Sequence, residues 1–175
     1  MSLAHRRPLR AAVALLVAVG AGGALAACGD APVTSADAQV ITVQLTSQDR
    51  VLHTVGPGES KIYGSNHLTG EGTLDGTGDV QVEMLATVNY TNGSGDFGGV
   101  ITFTFADGST LGVVMVNGAA EAATDTTEAT FHSGLRVIGG TGAMVDAAGS
   151  GTFVGTRKEA LGGAVEATFT LSITG

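Results

Sequence analysis

The chain has 175 residues, with 16 Asp and Glu against 8 Lys and Arg, 28 Gly, one Cys and no Trp. The acidic balance argues against nucleic acid as a partner, because that binding rests on Lys and Arg neutralising phosphates. A single cysteine excludes an intrachain disulfide and any zinc site built from several thiolates.

The N-terminus reads as three zones. Residues 1–10 hold Arg6, Arg7 and Arg10 and no acid; residues 11–25 are almost wholly apolar; Leu25-Ala26-Ala27-Cys28 follows. A basic start, a short apolar core and small residues at the cut are the layout of a secretory signal. The apolar run falls short of the roughly 20 residues a membrane-spanning helix needs. Arg6-Arg7 raises twin-arginine export, but Pro8 and the missing remainder of that motif favour the general secretory route. Leu-Ala-Ala-Cys resembles the lipobox of bacterial lipoproteins. That resemblance implies cleavage before Cys28 and a lipid on its thiol. Residues 1–27 are then a cleaved signal, and 28–38, small and polar, a flexible lipidated tether. The processed chain keeps 5 basic residues against its 16 acidic ones, a net charge of −11. The domain that follows is 39–175.

From Gln39 onward the pattern has period two. Ile41, Val43 and Leu45 alternate with polar residues over Gln39–Thr46. Weaker strands read over Arg50–Val55 and Ser60–Gly64. The clearest run is Asp79–Thr91, with Val80, Val82, Met84, Ala86, Val88 and Tyr90 on one face and Leu85 as the exception. Phe97–Ala106, a run from Leu111, Thr126–Ile138, Gly149–Thr156 and Val165–Thr174 complete the set. Asn92-Gly93, Asp107-Gly108 and Asn117-Gly118 read as hairpin turns, since these pairs supply positive φ. A single helical turn is expected near Ala143–Ala148. One apolar face on nearly every strand calls for a sheet closed on itself, which also removes exposed edges. The expected fold is all-β, an eight-stranded antiparallel up-and-down barrel.

Three segments carry a further resemblance: Gly99 to Leu111, Val137 to Gly142, and Ala147 to Gly155 with its Gly-x-Gly-Thr-Phe strand. Together they resemble bacterial members of the allene oxide cyclase barrel-like superfamily, whose barrel plant dirigent proteins share. The resemblance spans roughly residues 39–175 and implies an eight-stranded barrel with an apolar cavity. Plant members are often trimeric, so a homo-oligomer is left open. No catalytic residue is carried over.

Met84, Tyr90, Phe103, Phe105 and Phe169 make up much of the apolar face and are the candidate cavity lining. Glu128, His132 and Arg136 share one face of a strand with Thr130. That row reads as an outer strand face, and as the best polar group in the chain should it point inward. His53, His67 and His132 form no paired motif, so no metal is expected. Asp75-Gly76-Thr77-Gly78-Asp79 lacks the six or so oxygen ligands that calcium takes. Gly140-Thr141-Gly142 has Val145 where a dinucleotide loop needs its third glycine. No cofactor is implied.

The first reading is a lipid-anchored barrel on the outer face of a bacterial membrane, holding a small apolar ligand. Its partners are the membrane, through the lipid on Cys28, and that ligand. The alternatives are a cyclase- or dirigent-type enzyme using the same cavity, and a non-catalytic envelope protein with a filled core. Cys28→Ala is expected to move the domain from the membrane to the soluble fraction with its fold intact. A variant that stays membrane-bound through a high-salt wash would contradict the lipid anchor.

Overall fold

The computed structural model describes residues 38–124 and 126–175. Cys28, the expected signal and nearly all of the expected tether lie outside the described residues. Eight strands follow in order: β1 Gln39–Val55, β2 Lys61–Leu74, β3 Gly78–Thr91, β4 Ser94–Phe105, β5 Thr110–Ala122, β6 Ala129–Thr141, β7 Ala148–Arg157 and β8 Val165–Thr174. Each pairs antiparallel with its chain neighbours, and β1 closes on β8. The fold is a closed eight-stranded up-and-down barrel, as the alternation predicts.

The inward positions are the apolar ones. On β3, Val80, Val82, Met84, Ala86 and Tyr90 are buried, while Gln81, Glu83 and Leu85 are exposed. Gln44, Glu71, Gln81, Glu83 and Glu166 face outward, interspersed with exposed Leu85, Val100, Ile138 and Val154. The inside is filled by side chains, as small eight-stranded barrels allow. Phe131 meets Phe97 edge-on at 5.8 Å between centroids, Phe97 meets Phe153 at 6.0 Å, Phe153 stacks on Phe169 at 5.1 Å, and Phe169 meets Phe103 edge-on at 5.1 Å. Five rings thus form one continuous column. Small residues make room for it. A Cβ on Gly118 would fall 2.3 Å from the Phe97 carbonyl oxygen and 3.1 Å from its ring.

Three local expectations are corrected. Arg50–Val55 is not a separate strand; it continues β1 past a bulge between Ser47 and Asp49. Asn117-Gly118 is not a hairpin turn; it lies inside β5, where the register with β6 shifts between Val116 and Ala119. Asn117 takes φ of 54°, which a bulge uses as readily as a hairpin does. The helical turn is a single 3-10 turn at Gly142–Met144, and Ala148 already belongs to β7. Asn92-Gly93 does form the tight β3–β4 turn, with φ of 51° and 82°.

An up-and-down barrel has its connections at alternating ends. Gln39, the β2–β3, β4–β5 and β6–β7 connections and the C-terminus share one end, here the base. The β1–β2, β3–β4, β5–β6 and β7–β8 connections share the other, the mouth. Asp75 pins the base: its Oδ1 accepts from Val40 N at 2.9 Å, and its own N–H donates to Val40 O at 2.7 Å. Phe169 is fully buried between Phe103 and Phe153. Phe169→Ala should therefore lower unfolding free energy by about 3–5 kcal/mol in chemical denaturation. Phe105→Ala, at a half-buried ring nearer the base, should cost distinctly less.

Candidate functional site

The barrel wall splits at the mouth. β1 pairs with β8 only from Gln39↔Leu171 to Leu45↔Val165. Beyond the bulge, Asp49–Val55 pairs with β2 alone. The β7–β8 connection, 158–164, covers the gap. Arg50 Nη1 donates to Leu161 O at 2.8 Å, and Thr127 Oγ1 donates to Lys158 O at 2.7 Å. Gly162 is pressed against the Arg50 guanidinium so closely that a Cβ there would collide with it.

Behind this connection lies a cavity of about 60 Å³. Leu45, Leu68, Met84, Ala86, Val88, Phe97, Phe131, Phe153, Leu161 and Val165 line it, with Asn66, Tyr90 and Arg157 as its polar members. That volume holds a few waters or a very small ligand, well under the roughly 150 Å³ that takes benzene. The larger depressions are polar grooves on the outer wall, around Glu71, Gln81 and Thr104 at one place and Thr42, Gln44 and Glu166 at another.

Arg157 is the distinctive group. It ends β7 on the inner face, in step with Phe153 and Gly155, and is 8% exposed. Its Cζ lies 5.5 Å from the centre of the Phe131 ring, so it caps the aromatic column. Its Nε donates to Glu159 O at 2.9 Å. No other hydrogen bond of this guanidinium occurs among the described residues. The contact of His67 Nε2 with Glu83 Oε1, at 2.8 Å, is on the outer wall. Neither Nη nitrogen of Arg157 is a fully buried orphan, so the guanidinium keeps a contact with water at the mouth. Its desolvation is partial, and a cation–π contact worth about 0.5–2 kcal/mol offsets part of that cost. Burial draws the Arg157 pKa down, opposed by Tyr90. Burial pushes the Tyr90 phenol up to about 12, with Arg157 pulling the other way.

The expected cavity residues divide. Met84 and Tyr90 line the cavity. Phe103 and Phe169 do not; they are packed in the column at 0% exposure. Phe105 borders the outer groove with Glu71 and Asp79. Glu128, His132 and Arg136 are exposed and none lines the cavity; Glu128 precedes β6, in the β5–β6 connection, and His132 and Arg136 lie on the outer face of β6. Arg157 went unnoticed in the sequence because the strand was ended at Thr156. Carrying the alternation Phe153, Gly155 one step further puts Arg157 on the inner face. Asp75 and Asp79 belong to no metal-holding group, and no group of three or more His, Cys, Asp or Glu side chains that could hold a metal occurs among the described residues.

Comparison with protein-family models, with curated proteins and with solved structures gives no match.

Tyr90 supplies a test of the burial. Its folded pKa, about 12, lies above its ordinary 10.0, so the fold favours the neutral phenol. Stability is then unaffected below pH 10 and falls as pH rises from 10 to 12, by about 3 kcal/mol in all. Urea denaturation across pH 9–12 should show this fall, and Tyr90→Phe should remove it. Replacing Arg157 with Met should move the Tyr90 titration, read at 295 nm, still higher.

Proposed function

We propose that this chain is an exported bacterial lipoprotein whose barrel is a binding module for a small ligand at its mouth. Residues 1–27 direct export and are removed, and Cys28 carries the lipid that holds the domain on the outer face of a membrane. The observation that carries the binding reading is the apolar cavity, open at the mouth, left in a barrel that is otherwise packed with side chains. The chain enters the barrel at the base, at Gln39, and the cavity opens at the opposite end. A ligand would therefore enter at the end opposite Gln39.

Two further features favour this reading over its rivals. The outer wall carries acidic and amide side chains, with Leu85, Val100, Ile138 and Val154 among them, and the inside is apolar; a membrane-spanning barrel has a continuous apolar outer band instead. Every acidic side chain among the described residues is exposed. The carboxylate that would steer a cyclase-type rearrangement therefore has no counterpart inside, and binding is preferred to catalysis.

Xenon, a neutral probe that enters small apolar cavities, tests the site. The full chain carrying ¹³C-methyl methionine should show a saturable shift of the Met84 methyl under xenon pressure. Met144, near the base, should not respond. Ala86→Leu fills the cavity and should abolish the shift while leaving the fold intact. A Met84 methyl indifferent to xenon would overturn the reading.

A further inference from the structure

The cavity is not a neutral one. Arg157 lines it with both Nη nitrogens free of protein acceptors among the described residues, since its one hydrogen bond uses Nε. It is more than nine-tenths buried and has no carboxylate within ion-pair distance among those residues. Tyr90, 4% exposed, lines the same cavity. Its phenol is neutral throughout the physiological range and can donate a hydrogen bond. The remaining wall is alkyl and aromatic, with Leu45, Leu68, Met84 and Val88 facing the same space.

These groups ask for a particular ligand. A guanidinium presents its N–H bonds as a planar fork that matches a carboxylate, and such charge-assisted pairs are the stronger hydrogen bonds. A phosphate or sulfate ester would bring a bulkier, more strongly hydrated head into an apolar chamber. The chamber, about 60 Å³, takes only a few more atoms. We infer that the mouth cavity binds a short-chain monocarboxylate, its carboxylate on the Arg157 guanidinium and the Tyr90 hydroxyl and its alkyl tail among Leu45, Leu68 and Met84. The inference rests on the binding reading above and narrows it. The ligand supplies the negative charge that no described residue places within ion-pair distance of Arg157.

The test compares propanoate with propanamide, its neutral counterpart of nearly equal size. Both are titrated into the full chain at matched ionic strength, with the Met84 methyl as the reporter. Propanoate should bind at least about tenfold more tightly. Arg157→Met should bring propanoate down to the level of propanamide, and Tyr90→Phe should weaken it by a smaller factor. Should Arg157→Met fail to fold, thermal unfolding of the unaltered chain gives the same answer: propanoate raises Tm and propanamide at equal concentration does not. Equal affinity for the two probes would overturn the carboxylate assignment while leaving a neutral-ligand site in place. A Met84 methyl that answers to xenon and to neither probe overturns it likewise. Silence toward xenon and both probes removes the binding reading as well.

Discussion

The structure depends on packing the inside of a closed barrel. Eight strands that close on themselves leave no edge to pair, but they enclose a space that inward side chains must fill. Here that task falls to the ring column from Phe131 through Phe97, Phe153 and Phe169 to Phe103. The column sets the demand for small residues around it. Gly118 stands against Phe97, and a Cβ on Gly155 would press on Phe153 and Val165. The glycine content of the chain is thus partly a packing requirement, beyond what the turns need.

The same constraint explains where the packing ends. The column reaches the mouth at Phe131, and there the wall has already opened, because β1 leaves β8 at Leu45 to follow β2. A space between a split wall and the last ring of the column is what remains. The chain closes it with the β7–β8 connection, tied by Arg50 to Leu161, and caps the ring with Arg157. An aliphatic residue would pack at that position without a desolvation penalty. The presence of a charge there is the strongest sign that the mouth does more than finish the core.

Much of this was legible in the residues. Strict alternation in Asp79–Thr91 and Val165–Thr174 gave the strands and their inner faces, and the uniform apolar face gave closure. What escaped was set by tertiary context. Asn117-Gly118 has hairpin chemistry, but its positive φ serves a bulge opposite the Phe97 ring. Phe103 and Phe105 share a strand face, yet only Phe103 reaches the column, since Phe105 comes too near the base to meet another ring. Met84 and Tyr90 were found as apolar bulk facing inward. Arg157 was missed because a charge at a strand end looks like a solvated terminus until the neighbouring strands show which way it points. The outer row of Glu128, His132 and Arg136 drew attention by clustering along one face, which alternation produces on any outer wall.

The cationic cavity lies at the mouth, the end opposite Gln39, under a connection tied by Arg50 to Leu161 and by Thr127 to Lys158. The most direct measurement is a crystal structure of the chain grown in sodium propanoate. The account predicts a carboxylate in contact with the Arg157 guanidinium, inside the cavity bordered by Met84 and Tyr90. A guanidinium paired instead with a carboxylate of the chain itself, or turned out to solvent with the cavity filled by Leu161, would contradict it.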